Sequence, residues 1–196
     1  MKKIDKILIG SHNKGKFEEL SFLLRKKIKK TSPNELGIKS PKETGLTYLS
    51  NSNLKAKYFY KRSGLTTISD DSGLSINCLD GKPGIFSSRW AKKYGGFKKA
   101  MKKIIKLVNK KNSTRKAKFV CSLTIQISKK KSFSSRGEIF GTISKKIKGK
   151  KGFGFDPIFI PNGYNITFGQ MPHKKKILMD HRYVAFEKLK KKVKTL

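Results

Sequence analysis

A chain of 196 residues can build a sizeable core, and thirteen Phe, six Tyr and 36% apolar content point to a folded globule rather than a disordered chain. Forty-eight Lys plus Arg stand against twelve acids, a formal net charge of +36. No run approaches the roughly 18–20 apolar residues of a membrane-spanning helix, and Cys78 and Cys121 lack the spacing of a zinc site or a disulfide framework.

The charge attracts nucleic acid and phosphorylated ligands in principle. However, 42 of the 48 cations are Lys and only six are Arg. Arg is the residue that reads bases and grips phosphate bidentately. The lysines are also spread along the whole chain, so they read as solvated faces, and nucleic acid is not expected as a specific partner. The start, Met1-Lys2-Lys3, is basic, but Ile7-Leu8-Ile9 is too short for a signal-peptide core. A cytoplasmic protein without a membrane partner is the expectation.

In chain order, Ile4 to Ile9 reads as a first strand, buried on both faces at Ile7-Leu8-Ile9. A polar loop, Ser11-His12-Asn13-Lys14-Gly15-Lys16, leads into a helical pattern through Phe17, Leu20, Leu23 and Leu24 to about Lys27. Strand, Gly-containing loop and helix together present backbone N–H groups and a helix dipole to an anion. The segment from Thr31 to Lys42 is polar and broken by Pro33, Gly37 and Pro41. Thr47 is placed to cap a helix that Gly64 stops.

Leu65-Thr66-Thr67-Ile68 then reads as a strand ending in Asp70-Asp71-Ser72-Gly73, with Leu74-Ser75-Ile76 alternating as a second strand. Asp, Ser and Gly are turn residues, so the tetrapeptide by itself reads as a turn. Residues 79–90 form a turn-rich loop, Phe97 to Val108 a helix, Ala117 to Ile127 a strand, and Ser132 to Ile143 its partner. A glycine-rich loop, 149–154, leads to Phe155-Asp156-Pro157. Residues 169–180 are polar and basic, and a last helix runs from near His181 to Val193.

The chemistry-bearing residues are spread over these pieces. Glu43, Asp70, Asp71 and Asp156 are the acids, and Lys55, Lys176, His181 and Arg182 the cationic or donor groups. Carboxylates suit a hard cation such as Mg²⁺, which takes one or two of them beside substrate phosphates. Carboxylates, Mg²⁺, Lys and Arg are the equipment for stabilising a phosphoryl group under attack by water. Each residue alone has an ordinary reading: Lys55 on a solvated helix, His181 at a helix start, Arg182 on the surface.

Six motifs in order carry a resemblance over essentially the whole chain. They are Ser11-His12-Asn13-Lys14-Gly15-Lys16, Glu43-Thr44-Gly45-Leu46-Thr47-Tyr48, Asp70-Asp71-Ser72-Gly73-Leu74 and the 81–89 segment from Gly81 to Arg89. The fifth is Gly152-Phe153-Gly154-Phe155-Asp156-Pro157-Ile158-Phe159, and the sixth is Lys176 followed by His181-Arg182. The sequence resembles the inosine triphosphate pyrophosphatase family, which hydrolyses non-standard purine nucleoside triphosphates.

That resemblance implies an α/β fold with an elongated mixed central sheet flanked by helices, two lobes and the active site in the cleft between them. It implies one pyrophosphatase domain over 1–196 and a homodimer. The reaction would be Mg²⁺-dependent conversion of ITP, dITP or XTP to the monophosphate and pyrophosphate. Glu43 and Asp71 would hold Mg²⁺, with Asp71 also accepting the proton of the attacking water. Ser11, His12, Asn13, Lys14, Gly15 and Lys16 would cradle phosphates, Lys55 would line the phosphate site, and Ser72 would contact substrate. Phe153, Gly154, Phe155 and Asp156 would line the base pocket, with Lys176, His181 and Arg182 reaching the base. Two departures stand out. Ser50-Asn51-Ser52 replaces an expected Glu-Asn-Ala run, and Lys42 stands where relatives often carry a second acid. The competing readings are a basic nucleic-acid-binding protein and a same-fold pyrophosphatase for other modified nucleotides.

Overall fold

The computed structural model describes residues 4–196; the basic start, Met1-Lys2-Lys3, lies outside the described residues. Six strands form one mixed sheet in the order β2-β1-β3-β4-β5-β6. They are β1 (Lys6–Ile9), β2 (Lys29–Thr31), β3 (Thr67–Ile76), β4 (Lys116–Gln126), β5 (Ser132–Ile143) and β6 (Phe159–Pro161). The helices are α1 (Lys14–Leu23), α2 (Tyr48–Ser63), α3 (Ser87–Lys93), α4 (Phe97–Lys110), α5 (His173–Ile177) and α6 (His181–Lys192). β1 runs parallel to β2 and to β3, with Leu8 opposite Thr67 and Ile9 opposite Ile68, while β5 and β6 are antiparallel. Parallel neighbours need a crossover, and α1 supplies it between β1 and β2.

The chain divides into two compact units. The first holds Met1–Asp71, Cys121–Gly137 and Arg182–Leu196; the second holds Ser72–Val120 and Glu138–His181. The core of the first joins Ile7, Ile9 and Ile68 to Leu20 and Leu24 at the end of α1 and to Phe186 and Leu189 of α6. α2 is bounded as the sequence suggested. The Thr47 side chain accepts from the Ser50 N–H, Ser50 Oγ accepts from the Thr47 N–H, and Gly64 stops the helix at φ 69°. Ser50, where the family resemblance anticipated a carboxylate, therefore serves as half of a capping box. α1 ends earlier than the apolar pattern implied. Leu24 is already extended, which lets both Leu24 and Ile28 reach the core before β2 begins.

In the second unit, Leu74 and Ile76 pack with Ile104 and Val108 of α4 and with an aromatic group, Phe119, Phe159 and Phe168. The Phe119 and Phe159 ring centroids lie 4.7 Å apart. The lysines of α4 outside this core are exposed. Two short helices lie where the sequence read only as loop, α3 within the segment around Trp90 and α5 within 169–180. α3 is tied to the sheet by Ser87, whose Oγ accepts the Leu74 N–H at 2.9 Å and donates to the Gly84 carbonyl at 2.8 Å. Ser87→Ala leaves the buried Leu74 N–H without that acceptor, so urea unfolding should show a loss of about 1–3 kcal/mol.

The largest departure concerns the acidic tetrapeptide. Asp70-Asp71-Ser72-Gly73 is not a turn between two strands but the middle of one ten-residue strand, β3, buried over nearly its whole length. Turn propensity loses here because β3 lies between β1 and β4 in the sheet, where its backbone is paired and its carboxylates find cationic partners. β4 is likewise buried on both faces over most of its length, as befits an interior strand. No described helix is long and apolar enough to cross a membrane.

Candidate active site

The strand geometry of β3 divides its two carboxylates. Successive residues of a strand face opposite sides of the sheet. Asp70 thus shares a face with Ile68, on the side where α1 and α6 pack. Asp71 shares the other face with Ser69, on the side of α2. The same side of β3 crowds Gly10: a Cβ there would meet Ser69 Oγ at 2.2 Å and the Phe59 ring at 2.7 Å. Only glycine lets the chain leave β1 at this point.

Asp70 is sealed in a charge network. Its Oδ2 accepts from Lys16 Nζ at 3.0 Å and from Arg182 Nη2 at 3.0 Å. The other arm of the Arg182 guanidinium donates to Glu19. Arg182, Glu19 and Asp70 are all buried to within 1% of full. Burial alone would raise the Asp70 carboxyl, but the charges of Lys16, Arg182 and Lys55 outweigh it and hold the group well below the usual carboxylate range. Asp70 is a permanent anion at neutral pH.

Asp71 has the opposite setting. Asn51 Nδ2 donates to its Oδ2 at 3.1 Å, and Lys55 Nζ lies 3.6 Å from its Oδ1. The same ammonium donates to Glu43 Oε1 at 2.6 Å. Burial, reinforced by the like charge of Glu43, raises the Asp71 carboxyl above its usual value despite Lys55, Lys16 and Asn51. Glu43 would also be raised by burial, but Lys55 and Lys16 lower it on balance. Burial would lower Lys55, yet Asp71, Asp70 and Glu43 together hold it firmly protonated. Lys55 is thus a buried cation rather than a solvated helix residue. Two adjacent carboxyls are thus pushed in opposite directions by their surroundings.

The expected phosphate loop separates into distinct jobs. Asn13 caps α1 by accepting the Lys16 N–H at 3.1 Å, and Ser11 Oγ accepts the Asn13 N–H at 3.2 Å. Lys16, one turn into α1, reaches back to Asp70. Gly15 is helical, and exposed Lys14 lies 3.9 Å from Glu18. The His12 ring lies within hydrogen-bond reach of the Ile38 carbonyl and Ser40 Oγ.

In the second unit, a separate group forms around Lys176, which is fully buried. Its Nζ lies 3.2 Å from Asp156 Oδ2 and 3.2 Å from Asp180 Oδ2. It also sits over the Phe153 ring at 4.9 Å and the Phe168 ring at 5.7 Å. Asp156 Oδ2 accepts the Phe153 N–H at 3.0 Å. Gly152 has φ 71°, and a Cβ there would meet that carboxylate oxygen at 2.2 Å. The loop therefore needs glycine for both reasons. Gly154 has φ 64°, Phe155 is core, and the His181 ring stacks on Phe119 at 4.8 Å and 13°. Ser72 falls in this second unit and is half-buried. Lys176, Phe153, Asp156 and His181, expected together at a base, are gathered in this unit. Arg182, expected with them, belongs to the first unit and bonds Asp70 and Glu19.

Sequence reading passed over Glu19, Asn51 and Asp180. Glu19 left a trace as a charge among apolar positions of α1. Asn51 lay inside a run noted only for its missing acid.

Among the described residues no three His, Cys, Asp or Glu side chains form a group that could hold a metal ion. Mg²⁺ asks for less, one or two carboxylates, its other positions filled by water and phosphate. Glu43 and Asp71 supply an all-oxygen pair already gathered by one cation, Lys55, so this donor set fits a hard divalent ion.

A buried carboxylate–lysine cluster on a mixed α/β sheet is equipment that suits a hydrolase of phosphoric anhydrides. Residues 7–192 match the model of the Ham1 family. A dITP/XTP pyrophosphatase of Caulobacter vibrioides is 40% identical over 186 residues, covering 94% of this chain and 96% of that protein. One from Methylacidiphilum infernorum is 38% identical, covering 95% and 93%. A HAM1 protein from Coxiella burnetii superposes with a TM-score of 0.87 at 31% identity, over 97% of this chain and 99% of that one. The chain belongs to the Ham1 family.

Proposed function

We propose that this protein hydrolyses the non-standard purine nucleoside triphosphates ITP, dITP and XTP to the monophosphate and pyrophosphate, with Mg²⁺. The observation that carries this reading is the division of Asp70 from Asp71 on β3: one carboxylate locked as an anion, its neighbour raised and facing Glu43 and Lys55. The names of the relatives, dITP/XTP pyrophosphatases, support the substrate class.

Glu43 and Asp71 would hold Mg²⁺, which when bound neutralises charge on the phosphate oxygens. Asp71 takes the proton of the attacking water. The water oxygen forms a bond to the α-phosphorus, the anhydride bond to the β-phosphate breaks, and pyrophosphate leaves with the electron pair. Lys16 and Lys55 bring positive charge to the phosphates, with Ser11, His12, Asn13, Lys14 and Gly15 around them. Ser72 contacts substrate. Phe153, Gly154, Phe155 and Asp156 take the base, with Lys176 and His181. Arg182 acts through Asp70, which it holds in place. The resemblance further supports one catalytic domain, a homodimer and a cytoplasmic setting.

The test is a nucleotide panel. Purified protein with Mg²⁺ is given ITP, dITP, XTP and the standard triphosphates, and pyrophosphate is assayed. The non-standard purines should be hydrolysed much faster than ATP, because a donor set matched to a 6-oxo group leaves buried groups unpaired opposite a 6-amino group. Equal inactivity on every triphosphate, with folded protein, refutes the proposal.

A further inference from the structure

Asn51 lies inside α2 and is only 1% exposed. Asn is a poor residue for a helix interior, and a buried amide is costly unless its hydrogen bonds are made. Capping does not call for it, because Thr47 and Ser50 already close the start of α2. Its amide is used elsewhere. Oδ1 accepts the Gly45 N–H at 2.8 Å, and Nδ2 donates to Asp71 Oδ2 at 3.1 Å. A backbone N–H can only donate, so the amide has one workable orientation, with its NH₂ toward Asp71.

Asn51 and Lys55 therefore bridge the same two segments. Lys55, one turn further along α2, lies 2.6 Å from Glu43 Oε1 and 3.6 Å from Asp71 Oδ1. The two bridges differ in kind. An ammonium on a four-carbon stem is a flexible point charge, whereas the short amide is directional. Gly45 follows Glu43 by two residues, so the amide sets where the Glu43 segment lies against β3. The approach is close: a Cβ on Gly45 would meet Ser50 Oγ at 2.4 Å, Asn51 Oδ1 at 2.5 Å and the Asn51 backbone nitrogen at 2.9 Å. The helix itself is fixed to the sheet beside this contact. Ser52 Oγ lies 2.9 Å from Thr124 Oγ1 of β4, which donates to Asn53 Oδ1 at 2.7 Å.

We propose that Asn51 is a positioning residue of the active site: its amide ties the Glu43 segment to Asp71 and so sets the spacing of the two carboxylates for a divalent cation. This rests on the reading that Glu43 and Asp71 hold the metal.

The experiment titrates nucleotide-free protein with Mn²⁺, which takes the same oxygen ligands as Mg²⁺, and reads the unbound ion by electron paramagnetic resonance. It compares wild type, Asn51→Leu and Gly45→Ala, each with its melting temperature. Asn51→Leu keeps the side-chain volume and removes both hydrogen bonds. Gly45→Ala pushes the Glu43 segment off α2 and leaves Asn51 and Asp71 in place. The Mn²⁺ dissociation constant should rise about 10–100-fold in both, the usual cost of removing a group that orients metal ligands. The Mg²⁺ concentration for half-maximal ITP hydrolysis should rise in step, and turnover should recover as Mg²⁺ is raised. A lowered melting temperature with unchanged Mn²⁺ affinity overturns the proposal, because it shows a structural role alone. Unchanged affinity in Gly45→Ala overturns it too, since the tie to the Glu43 segment is then immaterial. If Asn51→Leu does not fold, Gly45→Ala decides. A wild type that binds no Mn²⁺ overturns the metal reading of Glu43 and Asp71, and this inference with it. A wild type that binds Mn²⁺ yet hydrolyses no triphosphate overturns the pyrophosphatase reading, while the affinities still decide the role of Asn51.

Discussion

An Asp71→Asn protein releases pyrophosphate about 10²–10⁴-fold more slowly than wild type, the usual contribution of a general base, and in chelator it melts at a higher temperature. The two effects share a cause. The Asp71 carboxyl is raised by burial and by the like charge of Glu43, so charging it in the folded state costs stability. Asn has nearly the same shape, and its side-chain oxygen can still accept from Asn51. The sign of the pH dependence follows. As pH rises from about 4, where an unfolded Asp ionises, through the raised folded value, the metal-free wild type loses stability that the variant retains. Asp70 and Glu43 run the other way, since their depressed values add stability that is complete above about pH 4 and is lost at lower pH. The difference in melting temperature between wild type and variant, followed by calorimetry in chelator from about pH 4 upward, therefore reads Asp71. Undiminished turnover refutes its role as base, and a melting temperature below wild type refutes the electrostatic account.

Arg182→Met is expected to remove about 3–5 kcal/mol of stability, the loss typical of breaking a buried ion pair from one side. The guanidinium serves two fully buried carboxylates, Glu19 and Asp70. Without it, both remain in the core with less compensation, Asp70 keeping Lys16. For a domain whose whole stability is roughly 5–15 kcal/mol, that is a large share. Adding Glu19→Leu to Arg182→Met removes one stranded charge and should recover part of the loss, a coupling that a double-mutant cycle reads directly. If Arg182 served mainly to touch the base, the melting temperature would hold and KM would rise instead. Denaturant unfolding and steady-state kinetics on the same variant separate the two.

Local signals carried well where the backbone answers to near neighbours. Thr47 and Gly64 bound α2 because caps act through residues three or four apart. β5 begins at Ser132 and ends at Ile143, as its pattern indicates. Alternation and capping are written into the chain. The same local reasoning failed at Asp70-Asp71-Ser72-Gly73, because turn propensity describes a chain in water and these residues lie in an interior strand. α3 and α5 escaped notice for a related reason. Each has only a turn or two, and is held by contacts such as Ser87 to Leu74 rather than by periodicity.

The acids and lysines of the candidate site, their order along the chain and the family they resemble could be named from sequence. The resemblance also set Asp71 apart from Asp70 for metal and base, but the physical reason for that split was not in the sequence. Asp70 and Asp71 are adjacent and chemically identical. What separates them is that a strand turns neighbours to opposite faces, one toward Lys16 and Arg182, the other toward Asn51 and Lys55. Sequence determined that this protein carries the residues for phosphoryl chemistry. Only the tertiary structure decided which carboxyl is held far down as a buried anion and which is raised beside Asn51 and Lys55, because pKa values depend on burial and on charges brought from residues as far away as position 182.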